Sequence, residues 1–212
     1  AKLVGLDNLK SFVLMAGTFA EVAKEPLPAG FSLEIVWKHA LNVAQHARTI
    51  AENEGAKKKV VDDSYTSGLL HDIGLLILAS KLPGELKRAL TYADENDVSL
   101  FEAEKSLFGA THAEIGGFLL ELWGLPESIV NAITYHYYPS GVPETRYATY
   151  EAEEGFSSVT AVHVANYFCG SSEFSDDAYA TVALDSEHLE HLGLSDKLGL
   201  WYDLCFQAKS TP

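Results

Sequence analysis

Apolar residues recur along this chain at spacings of three and four, the period of an amphipathic helix. Leu9, Phe12, Val13, Ala16, Phe19, Ala20 and Ala23 mark one face of a segment from Leu6 to Lys24, closed off by Pro26 and Pro28. Ser32 stands where an N-cap belongs, ahead of a long helix through Glu54 with Gly55 as its stop. The inward face of that helix takes Ile35, Ala40, Val43, Ala47 and Ile50. A third helix is predicted near Asp63 to Ser80. Pro83, a first-turn proline, starts another through about Asp94. Ser99 caps a short helix ending at Gly109. Thr111 with Glu114 makes a capping box for one ending at Trp123-Gly124, and Pro126 opens the next, to about Tyr138.

From Ser140 to Gly155 the pattern lapses into Gly, Pro, Glu and Tyr, which predicts a surface loop. Its length makes it a candidate cap for a cleft, and its Glu151 to Glu154 cluster reads as solvated. A helix resumes from Phe156 to Cys169, an acidic loop covers Ser171 to Asp177, and Ser195 to Ala208 gives a last helix. T-V-A-L at Thr181 is too short a strand signal to change the class. The expected fold is all-α.

Composition narrows the function. With 212 residues and 47% hydrophobic content the chain can bury one sizeable core, with or without a small helical appendage. A net charge of −15 argues against a nucleic-acid surface and against an anionic membrane. The only basic run, Lys57-Lys58-Lys59, reads as an exposed loop. No apolar run approaches the ~20 residues of a bilayer span. Cys169 and Cys205, in apolar helical contexts, read as reduced core residues of a cytoplasmic protein. The segment opens on Ala1, already inside an apolar pattern, as a piece of a longer chain would.

One stretch stands apart. S-G-L-L-H-D-I-G-L-L-I-L, Ser67 to Leu78, is almost wholly apolar, yet it carries His71 and Asp72 at its centre. A lone buried carboxylate costs several kcal/mol unless paired, protonated or bound to a cation. Eight histidines are available to partner it. His188 and His191, in an acidic tail, read as solvated, and His46 and His163 as ordinary helix residues. His39, His112 and His136 share His71's apolar helical setting. Their convergence on Asp72 would make either a metal centre, since imidazole with carboxylate suits Zn, Fe, Ni or Mn, or a dry hydrogen-bond network. No H-E-x-x-H, no cysteine metal signature, no G-x-S-x-G and no phosphate-binding glycine loop occurs. Gly116-Gly117 lies within a helix, where small residues permit close packing. Trp37, Trp123 and Trp201 read as core, and Tyr135 to Tyr138 as an aromatic helix end packed on its neighbours or lining a pocket.

The segments W-K-H-A-L-N-V-A, G-L-L-H-D-I-G, F-G-A-T-H-A-E-I-G-G-F-L-L-E-L-W-G-L-P and A-I-T-Y-H-Y-Y-P resemble the HDOD domain. That is a helical relative of the HD superfamily of metal-dependent phosphohydrolases, found in bacterial signalling proteins. The likeness runs over residues 1–139 and implies an HD-like helical bundle whose N-terminal part is missing. Residues 140–212 would be a helical extension completing the HD-like core. Carried over by position, the HD pattern makes His39, His71 and Asp72 metal ligands, with Asn166 in the place of a closing aspartate. His112 and His136 match the additional histidines of related two-metal phosphodiesterases.

Three departures weigh against catalysis. Asn166 is a neutral amide, Leu75 stands where a phosphate-steadying lysine is found, and Tyr137 replaces the second histidine of a pair. Each removes charge from where phosphoryl transfer needs it. The resemblance therefore implies a noncatalytic regulatory module, with a possible divalent ion (Fe, Mn, Zn or Ni). Its partners would be proteins, a fused receiver or sensor domain, or a small phosphate-containing ligand. The alternative is a metal-dependent phosphohydrolase acting on a nucleotide or cyclic dinucleotide. A third reading makes the His/Asp group a buried polar network that only holds helices in register.

Overall fold

The computed structural model describes residues 6–24, 27–28, 31–143, 156–170 and 182–207. The loop expected between Ser140 and Gly155 lies outside them from residue 144 onward, as does the acidic loop at 171–177. Among the described residues there are helices and turns and no strand. In chain order these are α1 (Leu6–Val22), α2 (Leu33–Asn53), α3 (Lys58–Leu70), α4 (Ile73–Lys81), α5 (Pro83–Asn96) and α6 (Leu100–Phe108). They are followed by α7 (His112–Leu122), α8 (Glu127–Thr134), α9 (Ser158–Gly170), α10 (Ser186–His191) and α11 (Leu198–Gln207). None of them is long and apolar enough to cross a membrane.

The caps follow the sequence. The Ser32 hydroxyl accepts from Ile35 N–H, and Ser99–Glu102 and Thr111–Glu114 form full capping boxes. Four expectations need correction. The single helix expected over Asp63 to Ser80 is two, α3 and α4, parted at His71 and Asp72, where Asp72 leaves helical geometry at φ −98°, ψ 16°. Lys57 to Lys59 form no loop: Lys57 precedes α3, and Lys58 and Lys59 in its first turn pair with Asp62 and Asp63 one turn on. The helix after Pro126 stops at Thr134, and Tyr138, ahead of Pro139, lies outside helical geometry (φ −145°, ψ 76°). Trp123, at the end of α7, is 47% exposed, whereas Trp37 is partly buried and Trp201 fully so.

Close backbone contact explains the break at His71. In α3, a Cβ on Gly68 would lie 2.6 Å from Ala44 Cα, so α2 and α3 touch through main chain. In α4, a Cβ on Gly74 would lie 2.8 Å from Gly116 N and would collide with the His112 carbonyl, so α4 lies directly on α7. One straight helix cannot serve both contacts, and the chain turns between them. Gly117 makes room for a side chain instead: a Cβ there would collide with the Thr134 hydroxyl on α8.

Two apolar clusters result. Val36, Leu70, Ile73, Leu76, Leu120 and Ile133 belong to the first, drawn from α1 to α8. Val43, Ile50, Val162, Ala165, Phe168 and Trp201 belong to the second, where α9 packs on α2, α3 and α8, and α11 on α2. Trp201 Nε1–H donates to Glu54 Oε1 at 2.9 Å, pinning α11 to the end of α2. His71 and Asp72 stand in the chain between Leu70 and Ile73 of the first cluster, and Asn166 follows Ala165 of the second.

Candidate functional site

The break between α3 and α4 delivers His71 and Asp72 into the interior side by side, and His39 of α2, His112 at the start of α7 and His136 just past α8 close around them. All five are buried. His71 Nε2 lies 3.2 Å and His39 Nε2 4.0 Å from Asp72 Oδ2, while His112 Nε2 lies 3.5 Å from Oδ1. One carboxylate thus meets imidazoles through both oxygens, His39 and His71 at Oδ2 and His112 at Oδ1. His39, His71 and Asp72 form a set whose ligand atoms lie within 4.8 Å of one another, as do Asp72, His112 and His136.

The far nitrogens fix how the rings present themselves. His71 Nδ1–H donates to Gly68 O and His136 Nδ1–H to Ile133 O, both at 2.7 Å, and His112 Nδ1–H donates to Glu104 Oε2, also at 2.7 Å. A ring whose Nδ1 is a donor in this way offers its Nε2 lone pair to the cluster. The Nε2 atoms of His71, His112 and His136 are buried and have no hydrogen-bond partner. Buried polar atoms are almost always satisfied, so three left open at one carboxylate is the pattern of a ligand set. Asn166 also arrives here. Its Oδ1 lies 2.9 Å from His39 Nε2, so that ring nitrogen is already committed to the amide.

Electrostatics follow from burial and proximity. Burial pushes the Asp72 carboxyl up, but the His71 and His112 imidazoles outweigh it and hold the group well below the usual carboxylate range. Burial, and then the neighbouring His71, lower His39 to about 4, and the same two causes hold His136 well below an ordinary histidine. Burial opposes charge on His112 as well, yet Glu104 on one side and Asp72 on the other raise it to about 10. A proton on His112 and a metal ion are alternative ways of neutralising these carboxylates, and they compete for one nitrogen. Burial, Asp72 and Glu104 together raise the Tyr137 hydroxyl well above its normal value.

Sequence reasoning missed two residues at this site. Glu104 is fully buried, and its Oε2 accepts from both the backbone N–H and Nδ1–H of His112. The available signal was an acidic residue on the same face as Leu100 and Ala103. His163, read as an ordinary helix residue, donates from Nδ1–H to His136 O at 2.8 Å, and its Nε2 accepts from Asp185 N–H at 2.9 Å. His188, read as solvated, is buried with its Nε2 2.9 Å from Thr160 Oγ1, whereas His191 is exposed as expected. Tyr137 stacks on Phe101 and meets His112 edge-on, so the aromatic stretch packs against the cluster. Leu75 is 2% exposed and adds no charge to the site.

A family model for the HDOD domain matches residues 1–139. The chain belongs to the HDOD family. As an HDOD domain it is similar to an HDOD domain protein of Geobacter sulfurreducens of known structure, with TM-score 0.68 and 25% identity over 96% of this chain and 62% of that one. It also shares its fold with a proposed signal transduction protein of Marinobacter aquaeolei VT8 (TM-score 0.64, 20% identity, 98% of this chain and 45% of that one). A proposed phosphohydrolase of Shewanella amazonensis SB2B has the fold as well (TM-score 0.62, 21% identity, 97% and 70%). A protein of Treponema pallidum (strain Nichols) is 29% identical over 109 residues, 51% of this HDOD chain. This chain spans 21% of that relative's length.

Proposed function

We propose that this HDOD domain is a noncatalytic signal-transduction module that holds a divalent cation through His39, His71, Asp72, His112 and His136, with Asn166 at the edge of the set. The observation that carries the reading is the trio of open Nε2 atoms on His71, His112 and His136, gathered at the Asp72 carboxylate with their Nδ1–H groups tied off behind them. Fe, Mn, Zn and Ni all suit imidazole with carboxylate. When bound, such an ion supplies positive charge that neutralises Asp72 and cross-links α2, the α3–α4 break, α7 and the turn after α8. The family, and the signalling role that the Marinobacter protein's name carries, support the assignment to signal relay. Residues 140–212 complete the same core on this reading, since α9 packs on α2, α3 and α8 and brings Asn166 to His39. The relay would pass to cytoplasmic protein partners or to a fused receiver or sensor domain.

A second reading, a metal-dependent phosphohydrolase, draws on the two ligand groups that share Asp72 and on the name of the Shewanella protein. Against it stand buried, neutral Leu75 and the amide of Asn166, where phosphoryl chemistry wants charge. Elemental analysis of the purified protein, combined with a phosphodiester turnover assay, separates the two readings. A near-stoichiometric divalent metal that is lost in His71→Ala, with no turnover above that variant, is the expected result. No metal and no uptake of added Mn, Fe or Zn would overturn the cation site, and turnover abolished by His71→Ala would establish the hydrolase.

A further inference from the structure

The two ligand groups that share Asp72 are not equivalent. On one side, His39 Nε2 is held 2.9 Å from the Asn166 side-chain amide and stands 4.0 Å from Asp72 Oδ2. Whichever way that amide is turned, the ring nitrogen must give up a buried hydrogen bond before it can bind a cation. On the other side, His112 and His136 both keep Nε2 open. Their rings are also more firmly held. The Glu104 carboxylate grips His112 at both the backbone N–H (2.8 Å) and Nδ1–H (2.7 Å), and His163 fixes the His136 peptide through its carbonyl. His71 and His136 lean on backbone carbonyls, whereas His112 has a carboxylate behind it. Glu104 acts on the His112 ring by electrostatic attraction as well as by these hydrogen bonds.

We propose that the Asp72–His112–His136 group is the tighter cation position of the two, and that Glu104 is the positioning residue that makes it so. The inference rests on the cation reading above and adds to it an order of filling. Two carboxylates, Asp72 and Glu104, match a dication's charge on the His112 side. A carboxylate behind a ligating imidazole fixes its tautomer and raises its basicity, and losing such a partner typically costs about 10–100-fold in metal affinity.

The test is an NMR titration of the full, histidine-15N-labelled chain with Zn2+ alone, with affinities measured in parallel by calorimetry. The ring signals of His112 and His136 are expected to move in the first equivalent and those of His39 only later. Glu104→Gln keeps an acceptor oxygen but removes the charge. It is expected to weaken the first binding event by about 10–100-fold. His39 signals moving first, or an unaltered first event in Glu104→Gln, would overturn the proposal with the cation reading intact. A parent protein that takes up no Zn2+ overturns that reading, and this proposal with it. The filling order is read in the parent chain, so it stands whether or not the variant folds.

Discussion

Gly74→Ala probes how tightly the site is framed by bare backbone. The new Cβ would lie 2.8 Å from Gly116 N and would clash with the carbonyl of His112. Both neighbours are main chain within packed helices, so no side chain can swing aside. Forcing a methyl group into a filled interior typically costs about 1–3 kcal/mol, and backbone neighbours put this site at the upper end, about 3 kcal/mol. For a chain of this size each kcal/mol lowers Tm by about 2–4 °C, so a drop of roughly 6–12 °C is expected. Gly17→Ala in the middle of α1 is the matched control. Its Cβ meets nothing within 4 Å, and relief of glycine's helix penalty should stabilise the protein by about 0.5–1 kcal/mol. Thermal and urea unfolding followed by circular dichroism measure both. A Gly74→Ala protein as stable as its parent would refute the claim that α4 and α7 meet through main chain, and with it the account of why the chain turns at His71.

Two further outcomes follow from buried titratable groups. Burial, and then His163, lower His188 to about 4 against the favourable pull of Asp185, so the folded protein holds this imidazole neutral while the unfolded chain protonates it near 6.5. Stability from this group is complete above pH 6.5 and is lost as pH falls towards 4, on the order of 3 kcal/mol in all. His188→Asn should flatten the slope of unfolding free energy across that window, and an unchanged slope would contradict the buried placement. Burial also raises the Cys205 thiol to about 12, so native protein at pH 8 should resist iodoacetamide at this residue and react only after denaturation. Peptide mapping by mass spectrometry reads the difference.

Much of this fold was legible because helix ends are written locally. Ser32, Ser99 and Thr111 announce their caps by residue type and spacing, and the bonds they make are the expected ones. The break at His71-Asp72 was not legible. An apolar run reads the same whether one helix continues or two meet at an angle, and what decides it is contact between distant glycines and distant backbone. The cluster itself could be read because histidine and aspartate are conspicuous in apolar surroundings. Glu104 escaped notice because charged residues are common in short helices, and only the fold turns this one inward onto His112. His188 was misplaced for the opposite reason: its acidic neighbourhood looks solvated, yet Asp185 caps the short helix that carries it and His163 accepts from the Asp185 backbone N–H.

His163 touches two stretches of chain with one ring, holding the peptide oxygen of His136 with one nitrogen and receiving the amide of Asp185 with the other. Ser140 tightens the same knot by donating from its backbone N–H and its hydroxyl to the Asp185 carboxylate. Tension applied to the chain around residue 185 therefore has a short mechanical path to the histidine cage. It does not have to pass through either oily cluster on the way.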